Sequence, residues 1–437
     1  MKINSKAITK VQIIILIVII VIAGIIGSLY FFWSDLTSQT ETIKIGVLAD
    51  LDMPSGEGAL RGAILAAEQL NVEGGIMGRR VEVFSEDSDS ESGADMLVVS
   101  NALTKLITVH EADFILGAIA GQAGLVCQDI VLQHKKILMG VWSPDDFLTE
   151  RVTDDYDSYK YFFRISPINN TIMFKGIPYC TSGLRDITGF NKVGYLAQDV
   201  PTWSAIADGL DYVLPEFYGF DLVYRGKFPP LGTIDFASYF AAAEEAGVEI
   251  LLTLIGGTDG ILAVKEWYDR QSPMVLWGIN LQAGSPNFWE ETDGKCIYTS
   301  YVGNAFDAEY PLTSLSLPYL EDYEERWNDK PTGSSDGAYT ALRLILPDAI
   351  KRAETTETEA VIKALEETSI KTILSNDFRF TSNHDLLITK LWDPETTSSV
   401  VFQYQNESEL IPIYPPVRRE EAGASYIFPE WDGPWNK

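Results

Sequence analysis

Two short patterns in this chain have residue types that could support chemistry. Gly56-Glu57-Gly58 follows an apolar segment, as the glycine-rich turn of a dinucleotide site does, but Arg61 stands where that motif has its third glycine. Asp145-Asp146 could supply a general acid and a general base. Neighbours in sequence do not lie on opposite sides of a substrate, so this pair is better interpreted as an exposed loop.

Cysteines and histidines stand too far apart to form a metal or redox motif. There is no CxxC pair, which excludes a zinc ribbon and a thioredoxin-like site, and no HExxH or HxH spacing. One disulfide with a spare thiol is compatible with the spacing, whereas a disulfide-built scaffold is not. We therefore expect no metal, no cofactor and no catalytic residue. The six residues are Cys127, Cys180, Cys296, His110, His134 and His384.

The composition is that of a folded acidic protein. The chain has 437 residues, 62 acidic and 33 basic side chains, and a formal net charge of −29. At roughly 150 residues per domain this length predicts two or three domains, and 46% apolar residues can build their cores. The acidity argues against a nucleic-acid partner, because phosphate binding needs clustered Lys and Arg. It indicates either a solvated exterior or steering of cationic solutes.

The first segment predicts attachment to a membrane. Lys2, Lys6 and Lys10 precede an uncharged run over residues 11–34, and Asp35 follows it. Such a run can cross a hydrocarbon core of about 30 Å as a helix, and its basic flank orients the rest of the chain outward. We favour a retained signal anchor over a cleaved secretory signal, whose apolar region would be shorter. The predicted segments are an N-terminal transmembrane helix over 1–34 and a linker over 35–42.

Strands and helices alternate through the rest of the chain. Ile43–Leu48 has the pattern of a strand, and Asp113–Ile119 that of a strand buried on both faces of a parallel sheet. A second series of the same kind runs from Lys192 to Ile279. Two series of βαβ units predict an α/β fold with two doubly wound parallel-sheet lobes. One helix between the first strands shows its apolar face at Leu60, Ala63, Ile64, Ala67 and Leu70.

Several segments then resemble one known family. The sequences IKIGVLADLD, RGAILAAEQLNVEGGIMGRRVEVFSEDSDS, DFILGAIAGQAG and KILMGVWSPDDFLT are similar to the leucine/isoleucine/valine-binding proteins, the solute receptors of ABC transporters. The resemblance covers nearly all of the chain from Ile43 to about Tyr404. It implies the type I periplasmic-binding fold, in which two lobes joined by three hinge crossovers close on a small ligand. An N-terminal anchor in place of a lipid-bearing cysteine resembles the archaeal members. The other similar segments are 162–167, 192–210, 249–257 and 337–345.

The resemblance also implies boundaries. The crossovers should fall near residues 164–167, 299–301 and 378–381. Lobe 1 would then comprise 43–165 and 301–377, lobe 2 would comprise 166–300 and 378–411, and 412–437 would form a C-terminal surface tail.

In such a fold the ligand lies at the carboxyl ends of the strands, where helix N-termini offer N–H groups. Carried onto this chain, the resemblance implies a site with residues from both lobes. Those residues are Gly121, Gln122, Trp142, Ser143 and Asp145 from lobe 1, and Trp203, Thr258 and Asn280 from lobe 2.

Three of these positions depart from the family members that bind α-amino acids. Those members have a hydroxyl residue where Gly121 stands and another near Asp145, and they hold the ligand ammonium with an acid where this chain has Asn280. An amide there removes a charge-assisted bond, typically worth about 1.5–3 kcal/mol. The alternatives are that Gly121 only serves the turn, that Asp145 caps the following helix, and that the tryptophans pack within their lobes.

These expectations together indicate an extracytoplasmic receptor in the cell membrane. It would capture a small polar organic solute, an amide or an amino-acid-like compound, and deliver it to the permease and ATPase of an ABC importer. Two glycosylation-type triplets, at Asn169 and Asn406, agree with an external face. The alternative is a ligand-sensing ectodomain that signals through a separate transducer. An α/β hydrolase is a third class, for which no nucleophile and base are evident.

Overall fold

The computed structural model of the chain describes residues 42–89, 95–119, 121–165, 169–229, 235–285, 287–304, 311–387, 399–406 and 409–436. The predicted anchor and all but the last residue of the predicted linker lie outside these ranges. Within them, no helix combines the length and the apolar character needed to cross a membrane.

The order of elements follows the alternation predicted from the sequence. The strands are β1 (Ile43–Ala49), β2 (Val81–Asp87), β3 (Phe114–Ala118), β4 (Ile137–Gly140), β5 (Phe162–Arg164), β6 (Lys192–Gln198), β7 (Asp221–Phe228), β8 (Ile250–Ile255), β9 (Val275–Asn280), β10 (Ser300–Asn304), β11 (Ser399–Asn406) and β12 (Glu409–Tyr414). The helices are α1 (Pro54–Val72), α2 (Met96–Thr108), α3 (Gly121–His134), α4 (Phe147–Asp154), α5 (Tyr156–Tyr159), α6 (Asn170–Thr188), α7 (Pro201–Tyr218), α8 (Ala237–Glu245), α9 (Asp259–Asp269), α10 (Phe288–Glu291), α11 (Ser316–Trp327), α12 (Gly333–Tyr339), α13 (Leu346–Ala353), α14 (Thr358–Glu366) and α15 (Pro416–Glu421).

Lobe 1 is built on a parallel sheet with the strand order β2-β1-β3-β4-β5. Every residue of β3 is buried, because helices cover both faces of a parallel sheet. Helices α11 to α14, which follow β10 of lobe 2 in the sequence, also pack on lobe 1. Their apolar residues belong to the same core as those of β1 and β3. The α/β fold predicted for this half of the chain is confirmed.

The glycine pattern near residue 56 serves packing within lobe 1. Gly56-Glu57-Gly58 lies inside α1, not in a phosphate-binding turn. At Gly62, one turn further along, a Cβ would lie 2.3 Å from the carbonyl oxygen of Ser335 in α12. The small residues therefore let α1 and α12 approach closely, which explains them without a nucleotide.

Lobe 2 has a mixed sheet with the order β12-β11-β10-β9-β8-β6-β7. The strands from β6 to β10 run parallel, whereas β11 is antiparallel to both β10 and β12. Two apolar cores lie against it, and neighbouring residues of β6 such as Tyr195 and Leu196 belong to different cores. Because successive side chains of a strand point to opposite faces, both faces of this sheet are covered.

The C-terminal residues are part of lobe 2. The predicted surface tail from residue 412 begins inside β12, where Ile413 is buried. Further along, the side-chain amide of Gln403 in β11 donates to the carbonyl of Ile427 (2.8 Å) and accepts from its N–H (3.0 Å). Four aromatic rings of the C-terminal segment then pack against the lobe. The prolines of this segment predicted a surface tail and gave no sign of this packing. The four rings are those of Tyr426, Phe428, Trp431 and Trp435.

The structure places two of the three crossings further along the chain than predicted. The first falls between β5 and α6, with residues 166–168 outside the described ranges. Residues 299–301 lead into β10 of lobe 2, so the second crossing comes after residue 304. Phe378 and Leu386 belong to the lobe 1 core, and β11 begins lobe 2 again at residue 399.

A buried ion pair lies beside the first and third crossings. Arg164, at the end of β5, is fully buried, and its Nε donates to Oδ1 of Asp385 at 2.8 Å. Its other nitrogens donate to the carbonyl oxygens of Ser143 and Asp145. Asp385 also accepts from the amide of Asn169 at 3.1 Å. Because Asn169 is buried and its amide nitrogen is bonded in this way, the structure disfavours glycosylation there.

Replacing Arg164 should destabilise the fold strongly. In Arg164→Met the carboxylate of Asp385 loses its ion pair and the carbonyls of Ser143 and Asp145 each lose a charged donor, so we expect a loss of about 3–5 kcal/mol in the free energy of unfolding. Urea denaturation of the full-length chain measures it. Arg379→Met is the control, because the pair between Arg379 and Asp377 is solvent-exposed and should contribute little. Equal losses in the two variants would contradict a central role for Arg164.

Candidate functional site

The carboxyl ends of β3 and β4 bring the lobe 1 candidates together. These strands are parallel neighbours, so the residues that follow them meet at one edge of the sheet. The contact is direct, since the N–H of Gly121 donates to Oδ2 of Asp145 at 2.6 Å. The sequence prediction placed both residues at this edge, and the structure shows them bonded to each other.

Gly121 has a backbone that few other residues adopt. Its φ is +60°, in the left-handed region, and a Cβ at this position would have no atom within 4 Å. The positive φ at this turn therefore explains why the residue is glycine. The open space beside Gly121 leaves the start of α3 accessible. Gln122, the next residue, is exposed there.

The two neighbouring aspartates cap helices of different lobes. Asp145 was predicted to contact the ligand, with a cap on the following helix as the alternative, and in the structure its side chain accepts from the first residue of α3. Asp146 holds the N-cap position of α4 without a side-chain bond to that helix. Its Oδ2 accepts from the N–H (2.8 Å) and the hydroxyl (2.6 Å) of Thr171 in α6 of lobe 2. The pair therefore links the two lobes.

Ser143 and Trp142 serve the packing of lobe 1. Ser143 is fully buried, and its hydroxyl donates to the carbonyl of Gly117 at 3.3 Å. No surface of Ser143 is thus open to a solute. The indole of Trp142 is half-buried over Gly333, where a Cβ would lie 2.6 Å from the ring. Packing within the lobe therefore explains the position of the Trp142 indole, as in the alternative interpretation.

In lobe 2, Trp203 lies at the carboxyl end of the sheet. It is 8% exposed, and its Nε1 lies 3.3 Å from where a Cβ of Gly256 would be. Below it, Gln198 accepts from the N–H of Gly256 (3.2 Å) and donates to Oδ2 of Asp259 (3.0 Å). Thr258 is exposed at the start of α9. Trp203 and Thr258 are therefore brought to the same edge.

The side-chain amide of Asn280 bonds both to the turn that follows it and to helix α9. Its oxygen accepts from the N–H of Gln282 and its nitrogen donates to the carbonyl of Gly260, both at 3.2 Å. The side chain is 8% exposed. In this arrangement Asn280 holds the turn after β9 against the first turn of α9, so its position at the site is structural.

Sequence reasoning missed Leu281, an exposed apolar side chain at this edge of lobe 2. It is 57% exposed and lies 3.7 Å from where a Cβ of Gly256 would be. Together with Trp203 it forms an apolar surface beside the glycines that follow β8. A large aliphatic residue directly after a strand, where turn residues are common, is the signal that could have indicated it.

The remaining reactive side chains lie outside this site. The three cysteines are free and buried, and burial raises the pKa of the Cys296 thiol to about 11. The ring of His384 is buried against Phe163, and burial lowers its pKa. In the ranges that the structure describes, no group of His, Cys, Asp or Glu is arranged to hold a metal ion.

With this geometry in view, comparison with known proteins identifies the family. The sequence pattern of the periplasmic binding protein family matches residues 42–392. The chain belongs to that family. Among curated proteins, it is 20% identical over 390 residues to the Leu/Ile/Val-binding protein homolog 7 of Brucella suis biovar 1 (strain 1330), with 85% of this chain and 91% of that protein covered.

Solved structures of periplasmic binding proteins share the fold. One is a putative branched-chain amino acid ABC transporter from Silicibacter pomeroyi, with a TM-score of 0.76, 18% identity, and coverage of 90% of this chain and 100% of that one. Another is the branched-chain amino acid transporter substrate-binding protein LivJ from Streptococcus pneumoniae in complex with isoleucine. Its TM-score is 0.67, its identity 17%, and the coverage 84% and 97%. The resemblance predicted from sequence segments is therefore confirmed for family and fold.

Removing the amide of Asn280 should destabilise lobe 2 even without a solute. Asn280→Ala leaves the N–H of Gln282 without its acceptor and removes one donor from the carbonyl of Gly260, so we expect a loss of about 1–3 kcal/mol in the free energy of unfolding. Urea denaturation measures it. Asn287→Ala is the matched control, since Asn287 also precedes a short helix but is exposed and makes no side-chain cap. An unchanged stability in both variants would show that Asn280 does not hold the turn.

Proposed function

We propose that the protein is an extracytoplasmic solute receptor of an ABC importer. The observation that carries the proposal is the two-lobed fold, in which the carboxyl strand ends of each sheet carry helix starts and side chains that a site between the lobes would use. Relatives named as Leu/Ile/Val-binding and branched-chain amino acid transport proteins support it. The receptor would capture a small polar organic solute between its lobes and deliver it to the permease, without chemical change.

Closure would be a hinge motion between lobes of unchanged internal structure. The crossings provide the hinge, and the buried pair of Arg164 and Asp385 fixes the lobe 1 end of two of them. The bond from Thr171 to Asp146 spans the lobes beside the first crossing. A rotation there would move the apolar surface of Trp203 and Leu281 relative to the start of α3.

The apolar run over residues 11–34 would hold this receptor at the outer face of the cell membrane. It supports a retained anchor because it is uncharged, follows three lysines and is long enough to cross the bilayer. Membrane fractionation of the expressed full-length chain, followed by protease treatment of intact cells, tests this. Recovery of the chain in the soluble fraction would contradict it.

A solute should raise the melting temperature, and Trp203→Ala should weaken its binding. We would screen the full-length chain against branched-chain and polar amino acids, amides, urea, short peptides and sugars. A ligand at a hundredfold over its Kd stabilises by about 2.7 kcal/mol. For any solute found, Trp203→Ala should raise the Kd at least tenfold, because the indole lies at the strand ends of lobe 2.

Tyr212→Ala is the control for that substitution. Tyr212 lies on the same helix, α7, and is 61% exposed, and its loss should leave the Kd unchanged. An equal Kd for Trp203→Ala and the unmodified chain would remove Trp203 from the site. The absence of stabilisation by every compound would contradict the receptor proposal and shift weight to the sensing ectodomain.

A further inference from the structure

The positive end of helix α3 is already matched to a negative charge of the chain itself. The N–H of Gly121 donates to Oδ2 of Asp145 at 2.6 Å. A carboxylate is stabilised at a helix N-terminus by the free N–H groups and by the helix dipole. This end of α3 lies at the carboxyl edge of the lobe 1 sheet, where the fold offers N–H groups to a solute anion. Asp145 therefore lies where a solute carboxylate would bind.

The position of this carboxylate is fixed from below. The carbonyl of Asp145 accepts from Nη2 of the buried Arg164 at 2.8 Å, and the carbonyl of Ser143 accepts from the same guanidinium. Arg164 is in turn bonded to Asp385. Moving the Asp145 side chain out of the site would leave Gly121 without its acceptor. A solute carboxylate would thus have to displace a bonded carboxylate or lie beside it.

The space around the pair is accessible. A side chain at Gly121 would meet no atom within 4 Å, and Gln122 is exposed next to it. In lobe 2 the amide of Asn280 is bonded to Gly260 and Gln282, while Leu281 presents an exposed apolar surface. Lobe 1 thus offers open space and a fixed negative charge, and lobe 2 would bring apolar contact to the site on closure.

We propose that Asp145 is a specificity residue that makes this site selective for solutes without a carboxylate group. The proposal rests on the receptor function above and narrows its solute class to amides and amines that carry an apolar portion. Two carboxylates a few ångströms apart repel each other, most strongly where water is excluded by lobe closure. Specificity of this kind comes from a repulsive group directed at the wrong ligand.

Leucine and leucinamide test the proposal, because they differ only in the carboxylate. Calorimetric titration of the full-length chain should show at least tenfold weaker binding of leucine than of leucinamide. In Asp145→Ser the negative charge is gone and the N–H of Gly121 is released, so the Kd for leucine should fall at least tenfold. Asp145→Asn keeps an oxygen that can accept from the N–H of Gly121, so it should give a smaller gain in leucine binding. It serves as the test if the serine variant does not fold.

Asp129→Ser is the control, because it removes one negative charge from an exposed position further along α3, where the carboxylate pairs with Arg151 of lobe 1. It should bring no gain for leucine. Tighter binding of leucine than of leucinamide by the unmodified chain overturns the proposal and leaves the receptor function standing. Binding of leucinamide alone, with no leucine gain in either Asp145 variant, also overturns it. If no variant binds leucine and the unmodified chain responds to no compound of the wider screen, both proposals fail.

Discussion

The buried guanidinium of Arg164 is the interaction on which the arrangement of this molecule depends. It ends β5, binds the carboxylate of Asp385 and holds the carbonyls of Ser143 and Asp145. A buried charge is tolerated only when its partners are complete, so these segments must be in place together. The loop after β4, the end of β5 and the segment before the third crossing are thereby fixed to one another. In the proposed closure, lobe 2 would then move without deforming this edge of lobe 1.

The loop that Arg164 fixes controls two helix starts. Asp145 bonds to the first residue of α3, and Asp146 bonds to Thr171 in α6 of the other lobe. The same short segment therefore defines the charge at the lobe 1 side of the site and a contact between the lobes. The charge at the site comes from Asp145 and the contact between the lobes from Asp146, so the two features depend on adjacent residues. The turn between β4 and α4 directs the two carboxylates apart.

The sequence predicted the architecture better than the site. Continuous apolar runs such as Asp113–Ile119 predict buried strands because burial on both faces leaves no polar alternation. The segments that resemble the family predicted the arrangement of these strands in two lobes. The direction of the Asp145 side chain depends on the approach of β3 and β4, which no local pattern encodes. Likewise, Asn280 was predicted to follow its strand and is the last residue of β9, but its bond to Gly260 arises from tertiary packing. The crossings after residues 304 and 387 were misplaced because turn signals do not reveal which lobe a segment joins.

If the proposed selectivity holds, the site shows how a common fold would change its ligand class with few substitutions. The strands and helices are constrained by burial, whereas the residues after β3, β4, β8 and β9 are constrained by their turns and by a few hydrogen bonds. Gly121 and Asp145 satisfy the turn and the helix end with atoms of the chain itself, and Asn280 does the same in lobe 2. Groups that complete the scaffold internally are no longer offered to a charged ligand. Under the proposed function, recognition would then depend on the exposed apolar surface at Leu281, the indole of Trp203 and the polar atoms of the helix starts.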